Sequence, residues 1–498
     1  MELAHLIQEA ARRHGGRAAF TTPGGWSLTF TDLDRQSEAV AAGLAAAGVG
    51  VGTVAALTIP SDPTYVVAFL ALARLGAVTA GINPRFTQAE RARALAVVGP
   101  DLVVAPPDQP VTAPGATILT VAPPTSGTDV EASLTHGLPN GHPIPDLPPD
   151  PDRDVAIVLT SGTTGTPKGA VFTNRGLAAV TEGDIGDRWG GGADMIASTQ
   201  FAHVGFMTKL PGQLRTGTTS HLLDRWRAAD VLDLVERFRI PVVGAVAPQV
   251  ALMLRDERFD ERDLSSVQGL IVGAGPSPPD LVREARERFG CGYSIRYSST
   301  ESGGVGLATA FDAPEEEALH TVGRPRAQVR VEIRDESGDA VADGEVGELW
   351  LSSPTMLDRY WRAPDETAST IVDGWYRTGD LGLVDPTGCV RLAGRRKEMF
   401  IRGGYNVYPM EVEAVLGRHP GVAEVAVVPR DDDVMGEIGV AMIVPRDPNE
   451  PPDLEDLRSF GRRELSAHKL PEAMRVVDEL PLTAAHKLDR SALGAQVA

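Results

Sequence analysis

The sequence predicts an α/β fold: a large N-terminal part of α/β subdomains with a small β-barrel-like subdomain, then a separate α+β C-terminal domain. Three patterns predict it. Residues 1 to about 300 alternate helical periodicity with short apolar runs, the grammar of strands covered by helices. Residues 320–393 alternate apolar positions with Gly-Asp turns, which suits antiparallel strands. After Gly394 a fresh mixed pattern begins, and at about 100 residues it is long enough to hold a core of its own.

In chain order, MELAHLIQEAARRHGG reads as an amphipathic helix and lacks the apolar core of a signal peptide, so no export is expected. Val54 to Ile59 and Val78 to Gly81 read as buried strands. The stretch from Tyr65 to Ile82 is the most membrane-like of the chain, but Arg74 interrupts it and Ala and Gly are frequent. It reads as a helix packed inside the protein, not as a span. From Ala105 to Pro151 prolines are dense and periodicity fades, the mark of a long surface excursion. Ala156 to Leu159 and Ala170 to Thr173 are strands, and a helix starts near Asn174. Val242 to Val246 and Leu270 to Val272 follow as buried strands, and Val329 to Ile333 and Gly347 to Leu351 as antiparallel ones. In the last unit Met399 to Ile401, Val422 to Val428 and Ile438 to Val444 read as strands. Pro409 to Arg418 is a helix with proline in its first turn, and Leu454 to Leu465 is another. No internal repeat is visible.

The 498 residues are too many for one core. Lysine and arginine number 47 against 67 acidic residues, a net charge of −20 that argues against a nucleic-acid or anionic-membrane partner. Cys291 and Cys389 stand far apart and in no metal-ligand spacing, so a disulfide framework or zinc site is not expected and a reducing cytoplasm fits. The C-terminus, GAQVA, carries no peroxisomal address.

One loop concentrates the chemistry. Thr160 to Gly169 reads TSGTTGTPKG. Gly162, Gly165 and Gly169 lack a Cβ, so the backbone can curl until its N–H groups converge on an anion. Ser161, Thr163, Thr164 and Thr166 add hydroxyls, and Lys168 adds a point charge. The combination suits a polyphosphate. It is not a Walker A sequence, because Gly169 stands where a Ser or Thr should follow the lysine and because the loop joins two strands.

The loop resembles the phosphate-binding signature of the adenylate-forming superfamily of acyl-CoA synthetases, peptide-synthetase adenylation domains and luciferases. YSSTESG, with Tyr297, Thr300 and Glu301, resembles that family's aromatic-Gly-x-Thr-Glu segment. YRTGD, ending at Asp380, resembles its ribose-binding segment. GRRKEMFIRGGYNVYPMEVE from Gly394 and PLTAAHK ending at Lys487 follow in family order. Ser298 and His486 stand where the family usually has glycine, and Tyr405 where glutamate is common.

The resemblance implies ATP, Mg²⁺ and CoA as reactants or cofactors and a small carboxylic acid as partner. Thr160, Ser161, Gly162, Thr163, Thr164 and Gly165 would cradle the β and γ phosphates with Lys168. Glu301 would hold the metal and Thr300 would donate to the α phosphate. Tyr297 would cover adenine while Gly273, Ala274 and Gly275 let the base approach backbone, although GAGPS by itself is more often a structural turn. Asp380 would accept the ribose hydroxyls, with Arg395 adding a cationic donor from beyond a pivot at Lys397. Lys487 would neutralise charge as the acid attacks the α phosphate. Gly403 and Gly404 would line a pantetheine path. His203, in FAHVGF, resembles a histidine that meets the substrate carboxylate, and as a residue it is equally a core histidine. No aspartate lies between Phe201 and Met207 to pair a substrate ammonium, which favours a plain acid over an amino acid.

The reading is thus an ATP-dependent acyl-CoA synthetase with a domain of residues 1–394 and a mobile one of 395–498. The alternative is an adenylating enzyme that loads a carrier protein. A binding protein without catalysis is disfavoured by the joint presence of Lys168, Glu301, Asp380 and Lys487, and oxidation of the adenylate as in luciferases demands a particular substrate.

Overall fold

A computed structural model describes every residue except 1, 140, 161–166, 198, 276, 483–487 and 498. By packing the chain forms two units, Met1–Arg330 with Leu351–Tyr376, and Val331–Trp350 with Arg377–Ala498. Residues 377–394 pack with the C-terminal residues because the strand Trp375–Val384 pairs with Val390–Arg395 and carries its ladder up to Arg395.

The largest sheet of the first unit orders seven strands: Arg359–Tyr360, Lys168–Thr173, Asp154–Thr160, Val78–Gly81, Val54–Leu57, Leu102–Ala105 and Thr117–Thr120. Val54–Leu57, Val78–Gly81 and Leu102–Ala105 run parallel and are buried along their whole length. A strand covered on both faces has no polar side to show, hence its continuous apolar sequence.

The apolar stretch after Asp62 becomes the helix Pro63–Arg74, with Pro63 in the first turn and Asp62 accepting from the Thr64 N–H at 2.7 Å. Nearly all of it is buried, Arg74 included. The guanidinium is satisfied by Ser37 Oγ at 3.1 Å and by an ion pair with Asp34, which offsets its desolvation. The helix stops earlier than the apolar stretch, because Gly76 turns the chain at φ +68° into the strand Val78–Gly81. No helix among the described residues is long and apolar enough to cross a membrane.

The proline-rich excursion is more ordered than its sequence indicates. Thr117–Thr120 adds to the seven-stranded sheet in parallel with Leu102–Ala105, and Asp129–Thr135 forms a helix whose Val130 and Leu134 join the main core. Only Leu119 of that strand is buried, so no alternation announces it.

A second sheet runs Val242–Ala245, Gly269–Gly273 and Gly292–Tyr297 in parallel, then Leu307–Ala308 and Arg324–Pro325 antiparallel. Helices Ala228–Phe238 and Pro279–Phe289 cover it through Val231, Leu232, Val235, Val282 and Phe289.

In the second unit Val422–Asp432 and Gly436–Pro445 form a long antiparallel pair, flanked by Phe400–Arg402 with Tyr405–Val407 and by the parallel strand Ala473–Val476. Helices Pro409–Leu416 and Leu454–Gly461 supply Val412, Leu416 and Leu457 to its core, each ending a few residues before its sequence pattern does. Arg490 makes a two-pronged bond to Glu413 at 2.8 and 2.9 Å.

Candidate active site

Thr160 and Lys168 face each other at the end of an antiparallel ladder, so a sheet holds both ends of the TSGTTGTPKG loop. Ser161, Gly162, Thr163, Thr164 and Gly165 lie outside the described residues. Gly169 is demanded by packing: a Cβ there would stand 2.7 Å from Ile157 Cγ2 and 3.2 Å from Trp361 Cβ. Its carbonyl accepts from the Trp361 N–H at 2.7 Å, and Tyr360 pairs opposite Ala170, so this edge strand is docked beside the loop.

That docking assembles a cluster. Lys168 Nζ lies 5.0 Å from the centroid of the Tyr360 ring, a cation over an aromatic face. Tyr360 Oη donates to Glu301 Oε1 at 2.8 Å. Burial, reinforced by the adjacent Glu301 carboxylate, pushes the Tyr360 phenol far above its ordinary pKa, so it stays a donor. The other Glu301 oxygen has no hydrogen-bond partner among the described residues. The loop around Thr300 and Glu301 is held by its backbone: Leu357 N–H donates to the Glu301 carbonyl at 2.8 Å and Gly303 N–H to the Thr300 carbonyl at 3.0 Å. Gly303 has φ +69°, and a Cβ there would fall 2.1 Å from the Thr355 carbonyl oxygen, so no other residue fits.

Gly273 pairs with Arg296 on the neighbouring strand, which puts Gly273, Ala274 and Gly275 beside Tyr297 at adjacent strand ends. Ala274 takes φ +66°, a left-handed conformation that costs a non-glycine residue about 1 kcal/mol. His203 precedes the short helix Val204–Met207, and its Nε2 lies 3.3 Å from Asn83 Nδ2. Thr208 Oγ1 donates to the Gly303 carbonyl at 3.1 Å, tying the His203 segment to the Glu301 loop. The first unit therefore gathers Lys168 with Glu301, and Tyr297 with Gly273 to Gly275.

In the second unit Asp380 stands opposite Arg395 in one ladder, with Oδ1 2.9 Å from Arg395 Nε. The sequence reading sets Arg395 beyond a pivot; the register makes it a direct cross-strand neighbour. Asp380 is buried rather than solvated. Gly403 and Gly404 have φ +53° and +85° and make the turn between Phe400–Arg402 and Tyr405–Val407. The Gly403 N–H donates to the Met435 carbonyl at 2.7 Å. Tyr405 is exposed and stacks on His468, ring centroids 4.7 Å apart. Lys397 lies between the strands Val390–Arg395 and Phe400–Arg402. Lys487 lies outside the described residues, between the bridged Leu482 and Leu488.

With this geometry in place, the model of the AMP-binding enzyme family matches residues 7–361, and that of the AMP-binding enzyme C-terminal domain matches residues 411–487. The chain belongs to the AMP-binding enzymes. It is an AMP-forming ligase of the acid-activating kind. A feruloyl-CoA synthase of Amycolatopsis sp is 32% identical, with 96% of this chain and 94% of that protein covered. A fatty acid–acyl-carrier-protein ligase of Streptomyces coeruleorubidus is also 32% identical, covering 95% of this chain and 93% of that one. Among solved structures, an amide bond synthetase from Marinactinospora thermotolerans superposes with a TM-score of 0.87 at 30% identity, covering 99% of both chains.

Two residues of this AMP-binding enzyme escape sequence reasoning. Tyr360 reads only as one aromatic in a short strand, and Asn83 as a loop residue after Gly81. Neither carries a motif, because each acts through a partner far away in sequence, Glu301 and His203 respectively.

Proposed function

We propose that this AMP-forming ligase converts a small carboxylic acid and ATP to acyl-AMP and pyrophosphate, then transfers the acyl group to the thiol of CoA, releasing AMP. In the first step a carboxylate oxygen attacks the α phosphorus and the bond to the β-phosphate oxygen breaks. Lys168 and the glycine-rich loop stabilise the departing pyrophosphate, and Thr300 donates to the α phosphate. Glu301 suits a hard divalent cation, since Tyr360 holds one of its oxygens and leaves the other uncommitted. No group of three or more His, Cys, Asp or Glu among the described residues could hold a metal. Mg²⁺ would therefore take its remaining ligands from phosphate oxygens and water, and would supply charge neutralisation on the polyphosphate.

Tyr297 and the Gly273 to Gly275 turn receive adenine, and Asp380 the ribose. His203 meets the substrate carboxylate. Lys487 serves adenylation and the Gly403–Gly404 turn serves thiol transfer, with residues 395–498 alternating between the two about Lys397 while residues 1–394 keep the nucleotide and acid.

The observation that carries this reading is the chain of contacts Lys168, Tyr360, Glu301, in which the lysine lies over the face of one buried ring and the carboxylate accepts from that ring's hydroxyl. The test is a screen of acids for AMP and pyrophosphate formation, with and without CoA. Acid-dependent AMP and pyrophosphate, followed by acyl-CoA when CoA is present, is expected. ADP as product, or acyl-AMP that accumulates under saturating CoA and discharges only onto a carrier protein, overturns it.

A further inference from the structure

Two cations pair with one carboxylate, and a third lies within reach of its charge, beside the segments assigned above to the acid and the adenylate. Asp184, just before the C-terminus of the helix Asn174–Ile185, accepts from Lys209 Nζ at 2.7 Å and pairs with Arg326 at 3.0 Å. Arg296 is close enough to both Arg326 and Asp184 to feel their charges, yet it forms no ion pair among the described residues. The group thus carries two positive charges in excess.

Its position matters as much as its charge. Lys209 continues the segment that opens with His203, and its Cε lies 3.6 Å from where a Cβ on Gly304 would stand, beside the loop of Thr300 and Glu301. Arg296 immediately precedes Tyr297 and pairs with Gly273. The Arg326 N–H donates to the Gly306 carbonyl at 3.0 Å. Lys209 and Arg296 therefore extend from segments assigned above to the acid and the adenylate, and Arg326 is tied to the residues that follow the Glu301 loop.

Uncompensated charge in such a place is costly. Burial depresses the pKa of Lys209, with Asp184 offsetting part of it, and burial followed by the charge of Arg326 depresses that of Arg296. The side chains of Lys209 and Arg326 still keep 21% and 24% of their surface exposed, so a solute can reach them. A missing anion would complete the group.

We propose that the acid activated by this enzyme carries a second anionic group, a carboxylate or sulfonate distal to the reacting carboxylate, and that Arg296 binds it with Lys209 and Arg326. This rests on the acid activation proposed above. One carboxylate then meets the α phosphate near His203 while the other is held by the Arg296 group, which fixes the orientation of a symmetric or short acid. An acid with an uncharged tail leaves the excess positive charge of the group uncompensated and is disfavoured.

The test compares matched pairs by pyrophosphate release: succinate with butyrate, glutarate with pentanoate, and sulfoacetate with propionate. A kcat/KM at least about tenfold higher for the dianionic member of a pair is expected, the scale of one charge-assisted contact. Arg296→Gln should lower the ratio of kcat/KM within that pair by about tenfold, mainly through KM, and Lys209→Met should lower it less. Preference for the uncharged tail in every pair, or an equal loss for both members in Arg296→Gln, overturns the proposal while leaving acid activation standing. Pyrophosphate from no acid at all would instead refute the activation. If the variants do not fold, thermal protection of the unaltered protein decides: succinate with ATP should raise Tm more than butyrate with ATP, and equal shifts count against the second anion.

Discussion

The Lys168–Tyr360–Glu301 cluster and the Asp380–Gly403 region hold their functional groups in opposite ways. In the first, three side chains from distant parts of the sequence meet because an edge strand, Arg359–Tyr360, pairs with Lys168–Thr173 and a neighbouring loop is stitched on by the Leu357 N–H. In the second, Asp380 and Arg395 belong to one ladder of neighbouring strands, and Gly403 and Gly404 turn a three-residue strand back on itself. A cluster of the first kind is rigid because its members are locked by a common core. Local hairpins draw their geometry from neighbours in the chain instead, and the alternation proposed for the Gly403 turn asks for such a self-contained element.

The largest effect that would sharpen this contrast is expected from Lys487→Ala, which should slow adenylation by roughly two to three orders of magnitude, the scale of losing one charge-stabilising donor. Thiol transfer from supplied acyl-AMP should survive in the same variant. Single-turnover kinetics of the separate half-reactions measures both; equal losses would count against alternation.

Gly403→Leu should do the reverse and reduce thiol transfer about tenfold or more while pyrophosphate release continues. The side chain would enter a left-handed position at φ +53° with Met435 Cε 2.6 Å from its Cβ, so the turn must shift, at roughly 1–2 kcal/mol. Unchanged acyl-CoA formation would remove the Gly403 turn from the thiol path.

Tyr360→Phe tests the rigid cluster. It removes the donor to Glu301 and keeps the ring under Lys168, so turnover at saturating Mg²⁺ should fall only about threefold to tenfold, the net scale of a typical hydrogen bond. The Mg²⁺ concentration for half-maximal rate should rise. A titration of Mg²⁺ with unaltered half-saturation would show that Tyr360 does not position Glu301.

The smallest effect is expected far from the chemistry, in the hairpin of the second unit. Burial alone would raise the pKa of Asp385, but bonds from Thr387, Arg391 and the Cys389 and Thr387 amides outweigh it and hold it at about 2. An unfolded aspartate titrates near 3.9. The folded pKa is therefore the lower one, so its contribution to stability is present above about pH 4 and is lost as pH falls toward 2. Asp385→Asn should lower the urea midpoint at pH 5 and have little effect at pH 2. The same difference at both values would show that the carboxylate charge is not what matters.

Sequence and structure part company at identifiable places. The strands flanking the TSGTTGTPKG loop, the buried helix after Asp62 and the long strands after Gly394 are legible because each depends on neighbours in the chain: apolar runs and a proline at a first helical turn. Thr117–Thr120 is not legible, since it buries only Leu119 and is a strand by virtue of Leu102–Ala105 beside it. Helix ends differ by a few residues for the same reason, as at Gly76, where a turn cuts short a stretch that hydrophobicity alone would continue.

By itself the sequence determined the family and the candidate groups for its chemistry, because glycine, hydroxyl, lysine and carboxylate at those spacings are chemical properties of a local segment. Only the tertiary structure decided that Tyr360 joins Lys168 to Glu301, that Arg395 sits opposite Asp380, and that Lys209 and Arg326 share one aspartate. Those pairings depend on strand register and on burial between segments far apart in the chain, and no local pattern encodes either.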